Sequence, residues 1–271
     1  MAVTESAGSM LWRHRDRRSQ LLIWIGWLIG TLVFVQSWKV ISDNTIWVFA
    51  LDAPEAALDL FGRMVPPRWS YMEQLWLPLW DTINIATLGT LLGIVIAFPI
   101  AFLAARNTTP SRALIRPAAL LIIVSSRSIN SLIWALLLVA IVGPGVLAGI
   151  IAIALRSIGF IGKLLYEAIE EIDPSQVEAV TAAGASRAQQ LAYGILPQIM
   201  PAFAGISVFR WDINIRESTV LGLVGAGGIG LQLNASVSNL AWSQVTVIFL
   251  AIFVTVLISE WLSARVRHAI I

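Results

Sequence analysis

The sequence contains no cysteine, only two histidines and few charged residues, and each shortage excludes a class of protein. Without cysteine there is no disulfide framework, thiolate nucleophile or cysteine metal site. His14 and His268 lie near opposite ends of the chain, which disfavours a histidine metal centre. Only 13% of the 271 residues are charged, against roughly 25% in soluble domains. Because 58% are hydrophobic and the mean hydropathy is +0.80, the composition indicates an integral membrane protein.

Long apolar runs predict the membrane-spanning helices, each of which needs about 20 mostly apolar residues. Six segments meet this length: 21–38, 82–105, 118–142, 146–165, 199–224 and 245–264. We therefore expect an all-α integral membrane protein with a tail over 1–20 and a single transmembrane domain over 21–271. A nucleic-acid-binding surface is not indicated, because the cations sit in short clusters between apolar runs.

The distribution of cations predicts the orientation, because cytoplasmic loops carry an excess of arginine and lysine. With the N-terminus inside, the outer segments hold only Lys39, Arg63 and Arg68. The inner segments then hold Arg13, Arg15, Arg17, Arg18, Arg106, Arg112, Arg116, Lys163, Arg187, Arg265 and Arg267. Both termini are therefore predicted to be cytoplasmic. The outer segment 39–81 is expected to form either a short amphipathic surface helix or a solvated loop.

The predicted cytoplasmic loop 166–198 contains strong helix signals. Asp173 is a ready N-cap, Pro174 suits the first helical position, and Gln176 would complete a capping box. Gly184 can end this helix in a left-handed conformation. Ser186 with Gln189 offers a second cap and box, and we expect the second helix to stop at Gly194 and Pro197. The spacing alone leaves two interpretations open, a stiff knob on the cytoplasmic face or an amphipathic linker on the membrane.

The run Glu178-Ala179-Val180, followed by Gly184 and Leu196-Pro197, resembles the EAA loop of the transmembrane subunits of ATP-binding-cassette importers. Segments 127–135 and 216–230 resemble further elements of the phosphonate (or phosphite) importer permeases. This resemblance implies a six-helix type I importer permease whose coupling helix lies between spans four and five. It also implies that the loop docks onto a partner ATPase through Glu178, Ala179, Gly184, Leu196 and Pro197.

The same resemblance implies a homodimer in the bacterial inner membrane, with two ATPase subunits and an external substrate-binding protein. ATP and magnesium would be bound by the ATPase subunits, so this chain is expected to need no cofactor or metal and to be a transport subunit rather than an enzyme. The residues agree with that division, because Gly162-Lys163 is followed by leucine and not by the serine or threonine of a P-loop.

A glycine-rich stretch follows the fifth predicted span. Gly225-Ala-Gly-Gly-Ile-Gly230 matches the GxGxxG pattern of dinucleotide sites, but such sites need a preceding strand and a suitably placed acid. Here the pattern follows a membrane span, and the next acid, Glu260, lies 30 residues beyond Gly230. We expect instead a flexible outer loop or gate formed by Gly225, Gly227, Gly228 and Gly230.

Span five carries charges on two faces. At about 100° per residue, Arg210, Asn214 and Glu217 fall on one side of the helix, and Asp212, Arg216 and Thr219 fall on the other. Since ions facing lipid are costly, both stripes should face protein or water. The sequence leaves open whether each stripe is structural pairing or substrate pathway.

Two further arginines, Arg127 in span three and Arg156 in span four, are expected to be buried within the membrane. A guanidinium group suits phosphonate oxygens, because its planar fork can make two charge-assisted bonds. The predicted pathway residues are Arg127, Arg210, Asp212, Asn214, Arg216, Glu217 and Thr219.

Two other functions remain as alternatives. A self-contained secondary transporter of a small anion would have inverted repeats around a midplane site, and no convincing repeat is visible. A membrane-embedded enzyme acting on phosphorylated lipid would need a reactive centre, for which the sequence offers only carboxylates.

Overall fold

The structure, a computed structural model, describes residues 3–6, 9–12 and 16–270. In the tail, β1 (Val3–Ser6) and β2 (Ser9–Trp12) form an antiparallel hairpin that the sequence analysis did not predict. Residues 13–15, which supply two of the cations used for orientation and one of the two histidines, lie outside the described residues. By contacts the chain divides into two compact units, one up to Asp59 and one from Leu60 onward.

The first unit is dominated by α1 (Arg17–Asn44), which contains the first predicted span. None of its residues is buried, as expected of a helix that is apolar all round and lies in lipid. It is followed by α2 (Trp47–Met64), whose bounds run past the division between the units. The segment 39–81, predicted to be on the outer side, is thus largely helical rather than a solvated loop.

The second unit consists of helices joined by short turns. They are a 3₁₀ turn (Trp69–Tyr71), α3 (Met72–Ala104), α4 (Ile115–Ser128), α5 (Ser131–Val142), α6 (Val146–Glu170), α7 (Pro174–Ala182), α8 (Arg187–Gln189), a π-helical turn (Gln190–Ile195), α9 (Leu196–Leu221), a 3₁₀ turn (Gly222–Val224), α10 (Ile229–Ser238) and α11 (Trp242–Ile270). The membrane part is therefore all-α, as predicted.

Within the described ranges, five helices are long and apolar enough to cross a membrane, and six spans result if α4 and α5 together count as one. These two helices meet at an angle of 88°, so the single span predicted over 118–142 is bent near its middle. The break has a local cause. Ile129 is extended, and the Asn130 side chain accepts a hydrogen bond from the backbone amide of Leu132, which starts a new helix.

Close packing of α3 against α6 forms the centre of the second unit. A Cβ atom built at Gly89 would lie 2.7 Å from Cγ2 of Ile153, and one at Gly93 would lie 2.6 Å from Cβ of Ser157. At these two positions only glycine allows α6 to approach α3 this closely. The division into one tail and one permease domain stays a prediction.

Candidate functional site

The first polar stripe of α9 lies against α3 and α6. Arg210 Nε donates to Ser157 Oγ at 3.0 Å. Asn214 Nδ2 donates to the same oxygen at 3.0 Å and to Thr90 Oγ1 at 2.7 Å. Arg210 and Asn214 are buried, which makes this stripe an internal contact between three helices.

Glu217 completes the stripe and lies between two arginines. Arg210 Nη2 is 3.3 Å from Glu217 Oε2, and Arg156 Nε on α6 is 3.4 Å from Glu217 Oε1. The guanidinium of Arg210 also lies 5.1 Å from the ring centre of Phe160, which adds a cation–π contact. Arg210 is thus structurally paired, and its predicted place in the pathway stays a prediction. The sequence could not have shown that Glu217 is shared, because Arg156 is on another helix.

The second stripe contains a buried acid and a partly exposed cation. Asp212 accepts a hydrogen bond from Ser259 Oγ on α11 at 2.9 Å and forms an ion pair with Arg216. The Asp212 side chain is only 5% exposed, whereas that of Arg216 is 46% exposed. Thr219 is buried and donates to the carbonyl oxygen of Arg216 at 2.7 Å. Within this stripe, only Arg216 extends to the surface of the chain.

Arg127 is exposed on the surface of the single chain, and its predicted place within the membrane stays a prediction. It lies in the last turn of α4, where the helix ends before Asn130, so its side chain is exposed. Within the described residues it makes no hydrogen bond or ion pair. Its stem packs closely on α6, since a Cβ built at Gly159 would lie 2.6 Å from Arg127 Cγ.

A serine of α4 bonds to the backbone of α6 beside Arg127. The hydroxyl of Ser126 donates to the carbonyl oxygen of Leu155, and the backbone amide of Gly159 donates to Ser126 Oγ at 2.8 Å. Residues 155 and 159 lie about one helical turn apart in α6. The hydroxyl therefore ties α4 to α6 next to Arg156.

The predicted gate loop is packed rather than free. Residues 226–230 are buried. The Thr82 hydroxyl oxygen of α3 accepts from the backbone amide of Ile229 at 2.8 Å, and Gly145 N–H donates to the carbonyl of Gly225 at 2.9 Å. A Cβ at Gly228, where φ is +74°, would lie 2.6 Å from Thr82 Oγ1. The glycines thus allow close approach, which the expectation of a flexible loop did not anticipate, and their gating role stays a prediction.

The loop predicted to be cytoplasmic forms the predicted short helix, α7, but with a different first-turn partner. The Asp173 side chain accepts from the backbone amide of Ser175 at 2.9 Å, which confirms the cap. The backbone amide of Asp173 donates to Gln198 Oε1 at 2.9 Å instead of to Gln176, so the predicted first capping box is wrong. Gln198, on the first turn of α9, can bond here because the loop folds back onto that helix.

The second half of the loop differs more from expectation. Gly184 ends the first helix with φ +84°, and the capping box of Ser186 with Gln189 forms as predicted. The second helix does not stop at Gly194 and Pro197, because it continues through a π-helical turn directly into α9. In a π turn each carbonyl oxygen bonds to the amide five residues further on instead of four. The chain can therefore pass Pro197, which has no amide hydrogen, without ending the helix.

Gly194 has a packing role in this turn. A Cβ there would lie 3.3 Å from the Cα atom of Val177, so the glycine lets α7 lie directly on the start of α9. On the opposite surface of α7, Glu178 and Ala179 are exposed. Gly184, at the bend after α7, is also exposed. Leu196 and Pro197 lie in the first turn of α9 behind it. The five residues predicted to couple to the ATPase thus lie on α7, at the bend after it and in the first turn of α9, and their coupling role stays a prediction.

No cluster of three or more histidine, aspartate or glutamate side chains that could hold a metal ion occurs in the described part of the chain. The buried polar side chains of the described residues are mostly serine and threonine hydroxyls, with Arg210, Asp212 and Asn214 among them.

A sequence profile of the binding-protein-dependent transport system inner membrane component family matches residues 89–269. The chain belongs to this family. Membership confirms the predicted importer permease subunit, which is a multi-pass transport component of the inner membrane and not an enzyme.

Relatives of this permease include transporters named for phosphorus oxyanions. The phosphite transport system permease protein PtxC of Stutzerimonas stutzeri is 40% identical over 208 residues, which cover 77% of this chain and 75% of that protein. The phosphate-import permease protein PhnE of Mycolicibacterium smegmatis is 38% identical over 247 residues, which cover 91% of this chain and 46% of that protein.

Solved importers share the permease fold. An inward-facing MetNI methionine ABC transporter matches with a TM-score of 0.65 and 22% identity over 75% of this chain and 99% of that one. A bacterial alginate ABC transporter in complex with an alginate pentasaccharide-bound periplasmic protein matches with a TM-score of 0.57 and 18% identity, over 93% of this chain and 99% of that one. These likenesses confirm the type I importer permease fold.

Proposed function

We propose that this permease forms the membrane pathway of an ATP-driven importer for phosphonate, phosphite or a related phosphorus oxyanion. The observation that carries the proposal is Arg127, an exposed arginine at the break between α4 and α5 with no partner among the described residues. An arginine at the bilayer centre costs about 2.5 kcal/mol on insertion scales and more than 10 kcal/mol in simulations when it faces lipid. Water and a passing anion would relieve this cost.

The chemistry of the neighbouring residues supports an oxyanion as cargo. Arg127 packs beside Gly159 and Arg156 precedes that glycine by one turn, so both cations lie along the same part of α6. Guanidinium groups bind tetrahedral oxyanions with two parallel charge-assisted hydrogen bonds. The names of the phosphite and phosphate permeases that resemble this chain agree with this substrate class.

The permease is proposed to work as a homodimer with two ATPase subunits and an external substrate-binding protein. ATP and magnesium would be bound by the ATPase subunits. The exposed face of α7, with Glu178, Ala179 and the bend at Gly184, would dock onto each ATPase. In the membrane, the partly exposed Arg216 on α9 would face the second copy or the pathway, since facing lipid is costly.

Both termini are proposed to lie in the cytoplasm of a bacterial cell. The support is the excess of arginine in the connections that would then be inside, for example Arg106, Arg112 and Arg116 between α3 and α4. This orientation also places α7 on the side where ATP is available.

Uptake into proteoliposomes tests the proposal. The permease, its cognate ATPase and its binding protein would be reconstituted, and uptake of labelled phosphite, methylphosphonate and phosphate compared with that of sulfate. We expect ATP-dependent uptake of at least one phosphorus oxyanion, and a reduction by Arg127→Gln with assembly intact. Uptake by the permease alone would indicate a secondary transporter, and uptake only of other solutes would contradict the oxyanion proposal.

A further inference from the structure

Two arginines contact Glu217, and they differ in how deeply they are buried and in how many other contacts they make. Arg210 is only 2% exposed, donates to Ser157 Oγ at 3.0 Å, lies over the ring of Phe160, and makes two contacts with Glu217 at 3.3 and 3.5 Å. Each of the three guanidinium nitrogens therefore has a partner inside the protein. Its position is fixed by α6 as well as by α9.

Arg156 is held loosely by comparison. Its side chain is 30% exposed, and its two polar contacts, Nε to Glu217 Oε1 and Nη1 to the carbonyl oxygen of Ile129, are both 3.4 Å long. The contact with Glu217 is as long as those of Arg210, but Arg156 is far more exposed and has no shorter bond like the one at 3.0 Å from Arg210 to Ser157 Oγ. Ile129 is the last residue before the new helix at Asn130, which puts Arg156 at the break near Arg127.

Glu217 does not need the contact with Arg156 to have its charge neutralised. Glu217 and Arg210 already neutralise each other, and they would remain paired if Arg156 moved away. Arg156 would then carry an uncompensated positive charge, 30% exposed, beside the similarly uncompensated Arg127. An anion with two or three oxygens is the natural partner for two neighbouring guanidinium groups.

We propose that Glu217 is a resident counter-ion that gives up Arg156 to the passing oxyanion and recaptures it when the cargo leaves. This inference rests on the proposed function, because it assigns a role to one residue of that pathway. Before cargo arrives, the Glu217 carboxylate pairs with Arg156 and neutralises the positive charge of this arginine in the membrane. While cargo is bound, Arg210 retains Glu217, so no acid is left unpaired.

The exchange sets how tightly the pathway holds its cargo. The oxyanion must compete with the carboxylate for Arg156, so its net affinity is lowered by the strength of the contact that it replaces. A pathway must attract an ion and also release it. Glu217 therefore favours release, and its removal should convert a transient site into a trap.

Replacement of Glu217 by glutamine tests this role, because it removes the charge and keeps the shape. The assembled transporter in nanodiscs would be equilibrated with labelled phosphite and, separately, labelled phosphate. We expect Glu217→Gln to increase retention of the oxyanion that the wild type transports by about tenfold or more, the effect of 1.4 kcal/mol. Uptake in proteoliposomes should fall in the same variant, since release becomes slow.

Glu170→Gln is the matched control for loss of a carboxylate. Glu170 also lies between two arginines, Arg106 and Arg116, but at the far end of α6. We expect this control to leave oxyanion retention unchanged. An equal rise in retention in both variants would mean that any lost negative charge suffices, and it would overturn the specific role of Glu217.

A second variant keeps the inference testable if Glu217→Gln fails to assemble. Arg156→Gln leaves the Arg210–Glu217 pair intact and should fold, lose oxyanion retention and transport slowly. Wild-type retention and uptake in Arg156→Gln would overturn the exchange, as would unchanged or lower retention in a folded Glu217→Gln transporter. If the wild type transports no phosphorus oxyanion, the proposed function fails. If the wild type transports one and Glu217→Gln does so normally, only this inference fails.

Discussion

The backbone amide of Gly159 donates a hydrogen bond to the side-chain oxygen of Ser126 at 2.8 Å, so a hydroxyl from α4 lies directly against the backbone of α6. This contact requires the two helices to be very close, and the absence of a side chain at position 159 permits it. The carbonyl oxygen of Ile123 would lie 2.6 Å from a Cβ atom built there.

Gly159→Ala should therefore separate α4 from α6 and destabilise the permease by about 1–3 kcal/mol, the usual cost of overpacking. Thermal unfolding in detergent would measure the effect. Gly162→Ala is the matched control one turn further along α6, where the nearest atom is a flexible side-chain carbon of Ile123 at 3.2 Å. Equal stability of the two variants would show that α4 yields easily at this contact.

Arg210→Gln should impair folding, because it removes the buried partner of Glu217 and the donor to Ser157 Oγ. Loss of one member of a buried pair costs about 3 kcal/mol or more. Size-exclusion profiles and unfolding temperature would report the change. Arg127→Gln is the comparison, since the exposed Arg127 should be replaceable without loss of the folded protein. A stable Arg210→Gln protein would argue against a structural role for that arginine.

Glu178→Arg should leave the permease inserted and folded but weaken its association with the ATPase. The residue is exposed on α7, so the substitution disturbs no packing inside the chain. Co-purification stoichiometry would measure the association. Glu73→Arg, an equally exposed charge reversal at the predicted outer end of α3, should retain the ATPase. Normal stoichiometry and coupled uptake in Glu178→Arg would remove α7 from the docking surface.

The first turn of α7 should loosen in acid. Hydrogen bonds from the backbone amide and hydroxyl of Ser175 hold the pKa of Asp173 below its ordinary value of 3.8. A lowered pKa means that the ionised cap stabilises the helix at neutral pH, and that this contribution is lost as the pH falls through the lowered value.

Hydrogen exchange of the α7 amides, corrected for the intrinsic pH dependence, should therefore show protection that declines between about pH 5 and pH 2. Asp173→Asn can still cap the helix but cannot titrate, so its protection should stay level over that range. An identical decline in both proteins would assign the acid sensitivity to another group.

The chain has no cysteine, which makes labelling of α9 direct. In the assembled transporter, Arg216→Cys should react with a small water-soluble thiol reagent, because this position is exposed and polar. Asn214→Cys should be protected, since Asn214 is buried against α3 and α6. Labelling of position 216 only by a lipid-phase reagent would place that face of α9 at the membrane boundary.

Local signals were the predictable part of this structure. The cap at Asp173, the left-handed Gly184 and the box at Ser186 each depend on residues within a few positions, and all three are present. The family resemblance also rested on a short motif, which includes Glu178.

Contacts between distant residues were not predictable. Gln198 replaces Gln176 at the α7 cap because folding brings α9 next to the loop, and sequence distance hides that approach. The sharing of Glu217 between Arg156 and Arg210 likewise depends on the packing of α6 against α9. Helical spacing placed Arg210 and Glu217 on one face but could not show which neighbouring helix that face would meet.

The side-chain amide of Gln198 has a mechanical consequence. It accepts from the backbone amide of Asp173 at 2.9 Å, and it donates to the carbonyl oxygens of Asp173 and Gly194 at 3.3 and 2.7 Å. The side-chain amide of Gln198 thus connects the start of α7, the π-helical turn and the first turn of α9 by hydrogen bonds, so these segments should move together. Glu217 lies on the same α9, about 28 Å further along at 1.5 Å per residue. A displacement of α7 would therefore tilt α9 and move the Glu217 carboxylate relative to Arg156 on α6.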